Sequence, residues 1–126
     1  LPRLDATNPN RYPANWSEWV TVNSAPERDY PLGLPAGSLY GWIRDWMGVE
    51  NVSTLVYDDR ALFEEMVETV TDCIIQTLAC ALESGISFEY ASMWEDMCYR
   101  AGPLLSPRIF RQVLVPNYKR LTETLR

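Results

Sequence analysis

ISFEYASMWEDMCYRAGPLLSPR, residues 86–108, is the stretch whose reading decides the fold. Ile86, Phe88, Tyr90 and Ser92 alternate with Ser87, Glu89 and Ala91 over the length of one strand, behind the breaker Ser84-Gly85. The alternation predicts a strand, and Trp94-Glu95-Asp96 begins the loop at its C-terminal end. That loop closes where Ser106 is placed to cap a helix and Pro107 takes the first helical position, where its missing N–H costs nothing. Strand, charged loop and capped helix make the βα unit of an α/β domain. In such domains ligands gather at the C-terminal ends of strands, which puts Glu95 and Asp96 where chemistry is usually done.

Upstream, residues 1–15 carry prolines at 2, 9 and 13 and predict an irregular lead-in. Asn15 is placed to cap a short helix over Trp16 to Asn23, whose Trp16, Trp19 and Val20 call for a cover. Tyr30 to Leu34 predicts a second short strand running into a glycine-bearing loop at Gly33 and Gly37. Leu39, Trp42, Ile43, Trp46 and Met47 then form one helical stripe ended by Gly48. A small helix over Glu50 to Val56 leads to Asp58-Asp59. There the longest helix begins, with Phe63, Met66, Val67, Val70, Ile74, Leu78, Ala81 and Leu82 on one face and its acids crowding the first turns. The last helix covers Pro107 to Leu125, and Pro116 inside it predicts a kink or a break.

A chain of 126 residues, 47% hydrophobic and 22% charged, has the composition of one globular domain. Its net charge of −6 disfavours nucleic acid and anionic membranes as partners. No apolar run is long enough to span a membrane, and Leu1-Pro2-Arg3 does not open a signal peptide. Histidine is absent, which removes the usual general base and the commonest metal ligand. The three cysteines, Cys73, Cys80 and Cys98, include no close pair. Cys73 and Cys80 lie about 10 Å apart along one helix, too far to bridge. Reduced, buried thiols in a cytoplasmic protein are the simple reading, with no metal site.

Glu95 and Asp96 are the candidate catalytic residues, since a strand-end carboxylate can move a proton or hold a substrate N–H. The structural competitor has Asp96 capping its own loop and Glu95 pairing with Arg44 or Arg100. Arg44 offers a fork suited to a substrate carboxylate, or an ion pair with Asp45. Trp94, like Trp42 and Trp46, could stack on a flat ring, although helical spacing favours a core role for Trp42 and Trp46. Gly37 and Ser38 sit in the strand-end loop without forming a phosphate motif. Two strands and five helical pieces do not close a sheet. The whole chain, 1–126, is therefore expected to be an incomplete section of a (β/α)8 barrel, ordinarily about 250 residues.

PLGLPAGSLYGWIRDWMGVENVSTLVYDD (31–59) and FEYASMWEDMCYRAGPLLSPRIFRQVLVPNYKR (88–120) resemble the middle of the uroporphyrinogen decarboxylase superfamily. Its members include the porphyrinogen decarboxylase of haem synthesis and corrinoid-dependent methyltransferases, both built on one TIM barrel. The resemblance runs from about Asn8 onward, and the RDWMG, WEDM, GPLLSP and PNYKR pieces carry it. It implies a cytoplasmic enzyme acting on a small molecule, as a porphyrinogen carboxy-lyase or as a methyltransferase. Tyr40 lies near a tyrosine that the family places after this strand, and Asp96 stands where the decarboxylases carry a small hydroxyl residue. The decarboxylases' arginine-rich loop and catalytic aspartate would fall upstream of Leu1. The methyltransferases' zinc-binding His-x-Cys would fall downstream of Arg126. Zinc and corrinoid thus belong to the full-length protein if it transfers methyl groups, and no cofactor is expected within this chain. The isolated chain is expected to be inactive. The alternative is a non-catalytic fragment that covers its open edges with a copy of itself as a homo-oligomer.

Overall fold

The strongest apolar stripe becomes the longest helix. In this computed structural model, which describes residues 5–126, α4 (Arg60–Leu82) buries Phe63, Val67, Val70, Thr71, Ile74 and Leu78 along one side. Asp59 starts it by accepting a hydrogen bond from the Leu62 N–H at 3.0 Å, which satisfies one donor that the first turn leaves without a partner. Before it come α1 (Trp16–Asn23), β1 (Gly33–Pro35), α2 (Tyr40–Met47) and α3 (Val49–Asp58). After it come β2 (Tyr90–Ser92), β3 (Cys98–Tyr99), β4 (Gly102–Pro103), α5 (Pro107–Ile109), a π-helical turn (Phe110–Leu114) and α6 (Val115–Thr124). One apolar cluster joins Leu34 and Ala36 to Leu39, Ile43, Val52, Phe63, Leu78, Leu114 and Leu121. The irregular opening predicted for residues 1–15 falls outside the described residues at positions 1–4.

The architecture is α/β, with β1 and β2 paired in parallel in the register Gly33↔Tyr90, Leu34↔Ala91 and Pro35↔Ser92. They form a two-stranded sheet, and no closed barrel is present among the described residues. Both strands are shorter than the sequence predicts. Pro31 has no N–H to donate, and the Leu32 N–H goes to the Glu89 carboxylate at 2.6 Å, so the ladder starts only at Gly33. Ile86 is buried in the approach to β2 but lies outside the ladder.

Three further expectations need correction. Asn15 makes no side-chain capping bond to α1, and Trp19 and Val22 are exposed, so the aromatic face of that helix is largely uncovered. Trp16 instead stacks on Trp19 with ring centroids 5.2 Å apart. Residues 94–105 are not a simple loop, because β3 and β4 pair antiparallel around Arg100-Ala101, with Gly102 at a φ of 137°. Pro116 neither kinks nor breaks the last helix. The Val115 N–H bonds the Phe110 carbonyl five residues back, and this wider turn places Pro116 in the opening turn of α6, where proline is tolerated. The expected cap at Ser106 does form, accepting from the Ile109 N–H at 3.3 Å with Pro107 next in line. Arg120 reaches across to Asp72 and ties α6 to α4.

A second tie holds the N-terminal ends of the two strands. Arg28 grips Glu89 with both terminal nitrogens, at 2.8 Å and 3.2 Å, and also donates to the carbonyls of Tyr30 and Ser87. The guanidinium, with the Leu32 N–H beside it, holds the Glu89 carboxyl down from its ordinary 4.5 to about 2. A carboxyl depressed in the folded chain adds stability above its unfolded pKa, and that contribution is lost as pH falls through the folded value. Thermal melts of wild-type protein should therefore lose stability between about pH 4.5 and 2 more steeply than melts of Glu89→Gln. Parallel curves would show that the clamp contributes nothing.

Candidate functional site

Parallel pairing brings the two strand-end loops together. The Ala36 N–H donates to the Ser92 carbonyl at 2.7 Å, and the Trp94 N–H donates to the Gly37 carbonyl at 3.3 Å. Gly37 turns the chain at a φ of 71°, and a Cβ there would lie 2.7 Å from the Trp42 ring. Position 37 therefore needs glycine twice over, for its backbone and for its space. Ser38 follows, fully buried, and α2 begins at Tyr40 without a side-chain cap of its own.

The cap arrives from the other loop. Glu95 lays its carboxylate on the start of α2 and accepts from the N–H groups of Leu39 (2.8 Å), Tyr40 (2.9 Å) and Gly41 (2.9 Å) and from the Ser38 hydroxyl (3.0 Å). The Tyr118 hydroxyl of α6 donates to the same carboxylate. Burial, followed by the adjoining carboxylate, pushes the Tyr118 pKa far up and keeps the phenol protonated as a donor. Five donors thus converge on one anion at a helix N-terminus, where the helix dipole also favours negative charge. Gly41 admits this packing: a Cβ on it would meet Ser38 and lie 2.7 Å from the Trp94 ring.

The predicted site residues therefore separate into two sets. Glu95, Ser38 and Gly37 are structural here, and Glu95 pairs with neither Arg44 nor Arg100 through its carboxylate. Tyr40 is fully buried, and its hydroxyl makes no hydrogen bond of normal geometry, although Ser53 lies beside it. Burial raises its pKa, and as placed it packs the core and does not face a ligand. Arg44 is 13% exposed in its side chain, and its Nη1 donates to the carbonyls of Glu95 (3.3 Å) and Asp96 (2.6 Å). Its guanidinium also lies 5.8 Å from the centroid of the Trp94 ring and 3.3 Å from the Asp45 carboxylate. This guanidinium is already engaged on three sides.

Asp96 and Trp94 form the second set. Asp96 is exposed, with a φ of 44°, the one non-glycine residue with positive φ among the described residues. Its carboxylate makes no hydrogen bond or ion pair there, and it does not cap its own loop as the structural alternative had it. Trp94 stays 40% exposed beside it. Trp42 and Trp46 stack at 6.2 Å, Trp42 partly buried against the core and Trp46 on the surface. The residue missed from sequence is Tyr118, which helical spacing placed only on the inner face of its helix.

No known protein family, curated protein or solved structure matches the chain.

The two adjacent carboxylates should respond differently to removal. Glu95→Ala strands several donors near the core and should cost about 2–4 kcal/mol in urea denaturation, since charged hydrogen bonds contribute roughly 1.5–3 kcal/mol each without adding fully. Asp96→Asn should change stability by less than about 0.5 kcal/mol, as for other surface substitutions. Equal losses would refute the division.

Proposed function

We propose that these residues are part of a (β/α)8-barrel enzyme of the uroporphyrinogen decarboxylase type, in which Asp96 is the carboxylate that meets the substrate. The observation that carries this reading is the exposed, unpartnered Asp96 carboxylate at the C-terminal end of a parallel strand pair, beside the open face of Trp94. A carboxylate next to an indole suits a flat ring bearing N–H groups, by hydrogen bonding to its edge and stacking on its face. Decarboxylating an acetate on a pyrrole protonates a ring carbon, breaks the bond to the carboxylate carbon as CO2 leaves, and returns the electron pair to the ring. The intermediate cation is the species that an adjoining carboxylate stabilises. Asp96 supplies that charge without reorganisation, because its loop is already pinned.

One observation favours the methyl-transfer branch as a second reading. A polycarboxylate substrate calls for cations at the rim, yet Arg44 is engaged with two backbone carbonyls, Trp94 and Asp45. An acidic rim of this kind suits a neutral or cationic reactant better. The described residues hold no group of three candidate metal ligands, and the sequence has no histidine, so they do not fit a zinc site and no step is assigned to zinc here. Corrinoid, like zinc, would be held elsewhere in such a protein. The non-catalytic alternative draws on β2, whose three residues are all exposed and which pairs on one side only. No helix among the described residues is long and apolar enough to cross a membrane.

Titrating porphobilinogen, a pyrrole carrying an acetate and a propionate, into isotope-labelled chain tests the first reading. The Trp94 indole N–H resonance should shift saturably, and Asp96→Asn should weaken binding about tenfold or more, the range for losing one charged hydrogen bond. Unchanged affinity in Asp96→Asn would remove Asp96 from the substrate. Sedimentation equilibrium addresses the alternative: a monomer at about 100 μM, well above the Kd of a stable homodimer, would count against the self-associating module.

A further inference from the structure

The unusual backbone of Asp96 and the unusual burial of Arg44 have one explanation. In an extended chain, successive carbonyls point to opposite sides. The carbonyls of Glu95 and Asp96 instead converge on one nitrogen, Nη1 of Arg44, at 3.3 Å and 2.6 Å. The rotation between those two peptide planes is set by the dihedral angles of Asp96, and the left-handed φ of 44° supplies the reversal. That conformation is unfavourable for a residue with a Cβ, although aspartate adopts it more readily than most. Without a cation between the carbonyls, nothing in the loop would hold it.

Arg44 is built to stay in place. Its side chain is 13% exposed, with the Trp94 ring on one side and the Asp45 carboxylate 3.3 Å from Nη2. It rises from α2, the helix whose first turn Glu95 caps. One helix thus grips the Glu95-Asp96 pair twice, by the Glu95 carboxylate at its N-terminus and by both carbonyls through Arg44. The Asp96 carboxylate is the group left pointing away from this grip.

We infer that Arg44 is a positioning residue: it holds Asp96 in the left-handed conformation and thereby fixes the direction in which that carboxylate is presented to a ligand N–H group. The inference rests on the proposed role of Asp96, and it gives Arg44 a different task from binding a substrate carboxylate. Loss of the guanidinium should let Asp96 relax to negative φ while leaving the fold intact, because the Glu95 cap does not depend on it. The carboxylate would then sample several directions, and affinity for the pyrrole would fall.

The test is nuclear magnetic resonance on the 126-residue chain. Wild-type Asp96 should show the carbon shifts and the amide-to-α-proton coupling of a left-handed residue. Arg44→Gln should lose them and bind porphobilinogen about tenfold more weakly, and Arg44→Lys, which keeps a cation within reach of the carbonyls, should restore part of both. A left-handed signature that persists in Arg44→Gln overturns the inference. So does unchanged porphobilinogen affinity in that variant when Asp96→Asn has lost it, a result that leaves the substrate role of Asp96 standing. If the signature is lost but wild-type chain does not bind porphobilinogen, the positioning role stands and the pyrrole reading falls. Should Arg44→Gln fail to fold, Asp96→Gly provides the second measurement. Glycine adopts positive φ freely, so this variant should melt a few degrees higher than wild type, and no gain would show that Asp96 is not held under strain.

Discussion

Everything at the strand ends depends on a carboxylate set into the beginning of a helix. Glu95 gathers three backbone N–H groups, a serine hydroxyl and a tyrosine hydroxyl, drawn from the turn after β1, from α2 and from α6. Each donor would be costly to leave unpaired at this depth, and one anion satisfies all of them. Because Glu95 follows β2 by only three residues, the same contact fixes how the second strand sits against the first helix. The loop gains its rigidity here, before Arg44 adds its two bonds.

That economy divides labour between neighbours. Glu95 and Asp96 are adjacent carboxylates at the end of one strand and look equivalent as sequence. In the fold, one is enclosed by donors and the other has none, so the inner residue serves as an anchor for the outer. Trp94 belongs to both settings. Its ring covers Gly41 and faces Arg44, while 40% of its surface stays open.

The helices were legible because each carries an apolar stripe that needs only local spacing to be seen, as Phe63, Val67, Val70, Ile74 and Leu78 show. The parallel pair was legible in kind but not in length, since Pro31 and the diversion of the Leu32 N–H to Glu89 shorten a ladder that alternation alone would extend. The Glu95 cap could not be read, because its donors lie 54 to 57 residues away and no local pattern announces a helix capped from a distant loop. The role of Tyr118 was hidden for the same reason. Asp96 was placed correctly at a strand end, but the sequence offered no sign that Arg44 would turn inward to the backbone of that loop.

The π-helical turn over Phe110–Leu114 leaves a legacy for any relative of this chain that lacks it. Such a turn amounts to one residue spliced into an α-helix. Each residue in a helix advances the facing direction by about 100°, so excising one position from this turn would swing everything beyond it by that angle. The helix would remain continuous and well bonded, yet Tyr118 would look away from Glu95, and the carboxylate would lose its contact with α6. A single-codon deletion here would thus spare the scaffold and disconnect the rim.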